Sequence, residues 1–268
     1  MRVAIVSNGN AFSTLMLRPL FDDPSSEICG AVLVRTPPGR GGRVATLVRL
    51  GRRTGVRFAA QKAASLALPA AVGAVSRRPV FLDQLCHRDG VACRSVPSAN
   101  SPEAVAFLRR VAPEILVSVS CPERLDPSVL EIPTAAAINL HWGLLPAYGG
   151  ISPYFWVLRN GESETGLTVH VMARELDVGP VLRQRRIVIS ADDTAMSLQL
   201  RLAIVGGEEL AAAVRELPGS LERARPQGQA DRSYFSWPSA ADVRALRGRG
   251  LRLSRWRDYT HLRREILS

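Results

Sequence analysis

The sequence predicts an α/β fold built on a mostly parallel, open sheet that is flanked by helices. Short apolar runs alternate with segments of helical spacing, which is the pattern of consecutive βαβ units. A strand, a helix and a second strand at this spacing favour parallel pairing of the strands. With 268 residues, 46% of them hydrophobic, the chain suits one large domain or one domain with a small appendage.

The N-terminal segment contains the first predicted βαβ unit. Arg2–Ser7 is a short apolar run typical of a strand, residues 12–21 have helical spacing, and residues 28–35 form a second apolar strand. The turn Asn8-Gly9-Asn10 joins the first two elements. Its backbone amides are candidates for binding a substrate phosphate, although it lacks a Gly-x-Gly-x-x-Gly motif and an ordinary turn explains the same residues.

Residues 37–79 break this alternation with an Arg- and Ala-rich segment of helical periodicity, which we treat as an insert. It could serve as a lid, an oligomer surface, an interfacial amphipathic segment or an anion contact, and a solvated helical excursion explains the same composition. Its most apolar run, residues 63–75, contains Pro69 and is too short to span a bilayer, so we expect no transmembrane segment.

The middle of the chain continues to alternate between helical and extended segments. The predicted order is helix 80–88, strand 91–96, helix 103–111, strand 114–120, strand 135–140, strand 165–172 and strand 181–189. Asp193 or Thr194 can cap a helix over residues 195–205, and residues 208–217 continue helical after two glycines. We therefore predict a catalytic domain over residues 1–205 and a C-terminal appendage over residues 206–268.

The predicted appendage is rich in Arg and Gly and carries an aromatic cluster, Tyr234, Phe235 and Trp237, ahead of a helix at residues 239–247. Aromatic side chains beside basic residues can stack on nucleic-acid bases. A hydrophobic strap that docks the tail on the domain explains the same cluster, and we favour that interpretation.

The candidate site lies around the predicted strand at residues 135–140. Asn139 and His141 are two positions apart, so an extended backbone places both side chains on one face. A Gly- and Pro-rich turn follows, then another strand, then a loop with Asp177. In an open α/β sheet, ligands bind beyond the carboxyl ends of the strands. The loop at residues 120–125 and the turn at residues 139–146 are therefore the expected walls of a pocket.

This compound pattern resembles the folate-dependent formyltransferases, which include glycinamide ribonucleotide, methionyl-tRNA and sugar-nucleotide N-formyltransferases. The resemblance is carried by Asn139-Leu-His141, a Leu-Pro turn ending at Pro146, Trp156, and Asp177, which lies 36 positions after His141. It covers roughly the first 190 residues and is densest over residues 117–189. It implies a Rossmann-like formyltransferase fold with a short C-terminal appendage.

The resemblance also implies roles for individual residues. The catalytic residues would be Asn139, His141 and Asp177, and the formyl donor would be 10-formyltetrahydrofolate. The folate-binding residues would be Ser120, Cys121, Pro122, Glu123, Arg124, Leu125 and Leu140. The acceptor-binding residues would be Asn8, Gly9, Asn10, Tyr148, Gly149, Gly150 and Ile151. His170 is expected to support the site or to belong to the core, without acting as the base.

Formyl transfer to an amine passes through a tetrahedral adduct that bears an oxyanion, so the site needs a donor for that oxygen and a group that accepts the amine proton. Asn139 supplies an amide donor, and His141 can donate to the same oxygen and transfer protons. Asp177 can orient His141 directly or through an ordered water. Neither a metal nor a protein nucleophile is required.

The composition constrains partners and location. The formal charge of +11 comes almost wholly from arginine, since Lys62 is the only lysine. A net positive charge favours small anionic partners such as phosphorylated substrates or folate tails. A solvated, Arg-rich surface that reflects only compositional bias explains the same charge equally well. The four cysteines show no metal-like spacing, and the chain starts directly in a strand without a signal peptide, so we expect reduced thiols in a cytoplasmic protein. A homodimer is compatible with the sequence.

Three alternatives remain open. A formyltetrahydrofolate deformylase would use a similar Asn/His/Asp set with water as acceptor, usually behind an N-terminal regulatory domain. A methionyl-tRNA-type enzyme usually has Arg at the position of Gly149 and a C-terminal barrel for which too few residues remain, which argues against initiator tRNA as substrate. We do not expect a nucleic-acid partner. A non-catalytic RNA- or membrane-binding relative would show steep salt dependence and would tolerate loss of Asn139.

Overall fold

The computed structural model describes residues 1–35, 42–217 and 219–268. The strands in these residues are β1 (Arg2–Ser7), β2 (Glu27–Val34), β3 (Cys93–Val96), β4 (Ile115–Val119), β5 (Ala136–His141), β6 (Gly149–Gly150), β7 (Glu164–Val171), β8 (Val181–Val188) and β9 (Tyr234–Phe235). The helices are α1 (Ala11–Phe21), α2 (Gly42–Thr54), α3 (Val56–Val75), α4 (Leu82–Arg88), α5 (Pro102–Val111), α6 (Pro127–Leu130), α7 (Pro153–Asn160), α8 (Ala195–Glu216), α9 (Gly219–Glu222), α10 (Ala240–Gly248) and α11 (Trp256–Leu267).

Seven of these strands form one sheet in the order β3-β2-β1-β4-β5-β7-β8. The first five pair in parallel, and β7 and β8 add antiparallel strands at one edge. The prediction of an α/β fold with a mostly parallel, open sheet is therefore confirmed. The strands β6 and β9 form a separate two-stranded parallel ribbon.

The sheet separates two hydrophobic clusters, because successive residues of a buried strand point to opposite faces. In β1, Val3 and Ile5 belong to the larger cluster with α1 and α8, whereas Ala4 and Val6 belong to the smaller cluster with α5. All four side chains are fully buried. This burial on both faces explains why β1 is uniformly apolar and does not alternate with polar residues.

The long helix α8 continues through Gly206 and Gly207, where the sequence suggested a junction between two helical segments. Both glycines are buried against α1, close to Met16 and Pro19. Their lack of a side chain allows the two helices to approach closely, and this packing offsets the poor helix propensity of glycine. The predicted boundary between residues 205 and 206 thus falls inside one helix, and the division into domain and appendage stays a prediction.

From residue 42 onward, the predicted insert folds as α2 and α3; residues 37–41 of the predicted range lie outside the described residues. Phe58 of α3 packs edge-on against Trp237 of the tail, so the insert and the tail are in contact. Within the described chain, α3 alone is long and apolar enough to cross a membrane by length and composition, and 28% of its most apolar window is buried. This feature does not show a transmembrane segment.

Candidate active site

A cavity of about 300 Å³ lies at the carboxyl ends of β4 and β5. The end of β5 contributes Asn139, Leu140 and His141, and the loop after β4 contributes residues 120–125. The segment that follows β7, up to Asp177, lines another side of the cavity. The two walls expected from the sequence therefore face each other across one space, as the crevice rule for open α/β sheets requires.

The three predicted catalytic residues all line this cavity. His141 Nδ1 lies 3.5 Å from Asp177 Oδ1, and the two side chains are only 6% and 14% exposed. This separation is longer than a hydrogen bond but within the range of an ion pair when the imidazole is protonated. Because both side chains are mostly buried, the carboxylate acts on the imidazole with less screening than at the protein surface.

The second nitrogen of His141 is occupied by the backbone. Nε2 lies 2.8 Å from the carbonyl oxygen of Tyr148, and a carbonyl can only accept, so Nε2 carries a hydrogen and donates it. This bond fixes the ring plane and leaves Nδ1, next to Asp177, as the nitrogen that can gain or lose a proton.

Asn139 is oriented by His170, which lies directly opposite it in the antiparallel pair of β5 and β7. His170 Nδ1 lies 2.9 Å from the carbonyl oxygen of Val171 and therefore donates its hydrogen there. The neutral ring then accepts at Nε2 from Asn139 Nδ2, at 3.1 Å. Burial, reinforced by the neighbouring His141, lowers the pKa of His170 to about 4, which keeps this acceptor available at neutral pH. One hydrogen of the Asn139 amide remains for a ligand.

Asp177 is held by the backbone of the ribbon strand β6. Gly150 N donates to Asp177 Oδ2 at 2.8 Å, which leaves Oδ1 facing the two histidines. Asp177 itself has φ of 57°, an uncommon backbone conformation for a residue with a side chain. The nearby Gly179 packs so tightly on the carbonyl of Val171 that no side chain would fit there. The loop is therefore shaped to present this carboxylate.

The C-terminal tail reaches the site, which the sequence did not reveal. Strand β9 pairs with β6, and Gly149 N and Ile151 N donate to the carbonyls of Ser233 and Phe235 at 2.9 and 2.7 Å. Phe235 also stacks against Tyr148 and Trp156, which is the hydrophobic strap expected from the sequence.

Tyr234, the first residue of β9, lines the cavity. Burial and the charge of Asp177 raise the pKa of its phenol, so the hydroxyl stays protonated at neutral pH. No local sequence signal identifies this residue as part of the site. Backbone pairing between segments 85 residues apart, as between Gly149 and Tyr234, leaves no pattern in the side chains.

All seven residues predicted to bind folate line the cavity: Ser120, Cys121, Pro122, Glu123, Arg124, Leu125 and Leu140. The loop is braced from behind, because Glu123 accepts hydrogen bonds from Ser98 Oγ at 2.9 Å and from Ala99 N at 2.6 Å. Burial raises the pKa of the Cys121 thiol to about 11, so this side chain stays neutral. The lining also includes Met172 and Leu176, which the sequence analysis did not assign.

The residues predicted to bind the acceptor divide into two groups. Gly150 and Ile151 line the cavity, whereas Tyr148 and Gly149 lie behind it in the ribbon turn. The lining also does not include Asn8, Gly9 and Asn10.

The N-terminal turn satisfies its own polar groups. Gly9 N donates to Ser7 Oγ, Asn10 N donates to Asn8 Oδ1, and the Asn10 side chain caps α1. These bonds favour the ordinary turn over a phosphate site, and an acceptor role for these three residues stays a prediction.

The insert approaches the rim of the cavity through Lys62 of α3. Its ammonium donates to Tyr154 Oη at 2.5 Å and lies over the Tyr154 and Phe58 rings. Tyr154 Oη is in turn 3.3 Å from Ser152 Oγ, and Ser152 directly follows the cavity residue Ile151. Within the described residues, no carboxylate forms an ion pair with Lys62. A positive charge is thus held next to the site.

The protein has an α/β fold with a cavity at the carboxyl edge of the sheet, which is where proteins of this class bind their ligands. Comparison with known proteins narrows this class. The family model described as formyl transferase matches residues 69–214, which is more than half of the 268 residues. The chain belongs to the formyl transferase family, and this membership supports a formyl-transferring enzyme.

Solved structures of low sequence identity have the same fold. A sugar N-formyltransferase from a Shewanella species is 18% identical, with a TM-score of 0.55 over 88% of this chain and 76% of that chain. Phosphoribosylglycinamide formyltransferase from Anaplasma phagocytophilum is 16% identical, with a TM-score of 0.59 over 88% of this chain and 98% of that chain. An N-formyltransferase from Helicobacter canadensis, solved with folinic acid and dTDP-3-aminofucose, is 16% identical, with a TM-score of 0.54 over 87% of this chain and 70% of that chain.

Proposed function

We propose that the protein transfers a formyl group from 10-formyltetrahydrofolate to a primary amine of a small, anionic acceptor, with a sugar nucleotide as the favoured acceptor. The convergence of Asn139, His141 and Asp177 in one cavity carries this proposal. Membership of the formyl transferase family supports a formyl group as the group that is transferred. The choice of donor and acceptor is motivated by two solved neighbours, a sugar N-formyltransferase and an N-formyltransferase in complex with folinic acid and dTDP-3-aminofucose.

The cavity suits a folate on chemical grounds. The loop at residues 120–125 forms one wall, and its backbone groups are candidates to pair with the polar edge of a planar ring. Leu125, Leu140 and Met172 provide apolar contact for the ring faces. When bound, the donor supplies a formyl carbon attached to N10, and the protein supplies positioning and polar groups.

Each catalytic side chain then has one task. Asn139 directs its remaining amide hydrogen toward the oxygen that becomes negative, and His170 keeps the amide in that orientation. His141, held by the Tyr148 carbonyl, exchanges a proton at Nδ1. Asp177 stabilises the protonated ring, because its free oxygen faces Nδ1 and both side chains are mostly buried.

The test is turnover of 10-formyltetrahydrofolate by the purified protein, followed as release of tetrahydrofolate, with and without pooled amines. The pools contain amino-sugar nucleotides, amino acids, hydroxylamines or aminoacyl-tRNA. Release that requires the amino-sugar nucleotide pool supports the proposal. Equal release without any amine would instead identify a deformylase, and release only with aminoacyl-tRNA would replace the proposed acceptor. Absence of folate binding would refute the proposal as a whole.

A further inference from the structure

A second cavity lies between the insert and the C-terminal tail, and it shares no lining residue with the candidate active site. It has a volume of about 620 Å³, which is within the range of small-molecule sites. Arg57 and Gln61 of α3 line one side, and Arg247 of α10, residues 250–254 and Tyr259 of α11 line the other. Two segments far apart in the sequence therefore build one concave surface.

The charge of this cavity is positive and uncompensated. Arg57, Arg247 and Arg252 line it, and none of its lining residues is acidic. In the described part of the chain, these three arginines have no ion-pair partner. Two carboxylates close in sequence are already engaged, Asp242 with Arg159 and Asp258 with the Thr194 hydroxyl at 2.7 Å. Three guanidinium groups around one space repel each other and attract an anion.

The floor of the cavity supplies an independent observation. Gln61 is only 7% exposed, it lines the cavity, and no hydrogen-bond partner for its side-chain amide is found among the residues described. The side-chain amide is not among the solvent-inaccessible unpaired groups, so its polar atoms face the space of the cavity and are free to bind a ligand. Close by, Ser254 Oγ and Tyr259 Oη share one hydrogen bond of 3.1 Å and retain further bonding capacity.

We propose that this cavity binds a small phosphate-bearing molecule at a site separate from the formyl-transfer site. Guanidinium groups match phosphate oxygens with paired donors, and the Gln61 amide can donate as well. Leu251 and Leu253 lie among the polar lining and offer apolar contact for the rest of an organic phosphate. Such a ligand joins α3 to the segment after α10, so its binding stabilises the contact between insert and tail.

The test is isothermal titration calorimetry of sodium pyrophosphate into the full-length protein at low salt, with Arg247→Gln and Arg252→Gln as variants. The matched control is Arg244→Gln, because Arg244 is exposed on α10 and lies outside the cavity lining. We expect a Kd below about 1 mM for the wild type, an increase of about tenfold or more in both variants, and a change within about twofold in the control. No binding at millimolar pyrophosphate, or an equal loss in the control, would overturn the proposal.

A Gln61→Met variant adds a second readout. Methionine keeps about the same side-chain volume but has no donor, so we expect weaker pyrophosphate binding with little change in the thermal midpoint of the ligand-free protein. Unchanged pyrophosphate binding in this variant would contradict the assignment of Gln61 to the site. Neither measurement involves formyl transfer, so the outcome is independent of the proposed function.

Discussion

The buried histidine His170 makes the stability of the protein depend on pH in a defined direction. Its folded-state pKa is lowered from 6.5 to about 4, chiefly by burial. Below pH 6.5 the unfolded chain binds a proton at this residue while the folded chain does not. The free energy of unfolding is therefore unaffected by His170 above pH 6.5. It decreases as the pH falls from 6.5 toward 4, because protons bind the unfolded chain preferentially.

The magnitude follows from the two pKa values. One pKa unit corresponds to about 1.4 kcal/mol, so the loss reaches about 2 kcal/mol at pH 5 and about 3 kcal/mol near pH 4. The residue is only 2% exposed, so solvent screening does not reduce this figure much. For a protein with a typical stability of about 5–15 kcal/mol, this is a measurable fraction.

Urea unfolding of the wild type and of His170→Gln between pH 7 and pH 4.5 isolates this contribution. Gln does not titrate and offers an oxygen in place of Nε2 as acceptor for Asn139. We expect the difference in free energy of unfolding between the two proteins to shift by about 2 kcal/mol against the wild type from pH 7 to pH 5. His87→Gln, at an exposed position, should follow the wild type. A difference that stays constant over this range would refute the neutral, buried state of His170.

Three further substitutions test other parts of the site. Gly150→Ala places a side chain against the Phe235 carbonyl, so we expect detachment of β9 and an activity loss of about tenfold or more, measured as formyl transfer. Its control is Gly90→Ala, also at positive φ but with free space around it, which should cost about 1–2 kcal/mol in urea unfolding without an activity loss. Glu123→Gln weakens the hydrogen bonds that brace the loop lining the cavity. We expect the KM for the folate donor to rise about threefold to tenfold, with kcat within about twofold of the wild type. An unchanged KM would show that this loop does not bind the folate donor. Lys62→Met removes the positive charge at the rim of the cavity. We expect the KM for an anionic acceptor to rise about tenfold while kcat stays within about twofold of the wild type. An unchanged KM would show that Lys62 does not take part in acceptor binding.

The sequence predicted the features that follow from local pattern. Apolar runs and their spacing identified every strand of the main sheet, most clearly β1, β4 and β5, because buried parallel strands are short and uniformly apolar. The separation of two positions between Asn139 and His141 predicted that they share a face, and both line the cavity. The Asp177 loop was found through resemblance to a known family, since nothing in its own composition fixes its distance to His141.

The features that were missed depend on contacts between distant segments. The hydrogen bond from Asn139 to His170 follows from the antiparallel register of β5 and β7, which neither strand sequence specifies. The two-residue strand β9 is too short for a periodic signal, and its pairing uses backbone groups. The continuity of α8 through two glycines is a result of packing against α1, where tertiary contact overrides local propensity.

The proposed function requires Asn139 and His141 to act together in one cavity. The most direct measurement is the rate of tetrahydrofolate release with saturating 10-formyltetrahydrofolate and amine for the wild type, Asn139→Ala and His141→Ala, with folate binding measured in parallel. We expect kcat to fall by about 10²–10³-fold in Asn139→Ala, the usual cost of losing one oxyanion donor, and at least as far in His141→Ala, while folate still binds. A kcat within about twofold of the wild type in either variant would contradict the account.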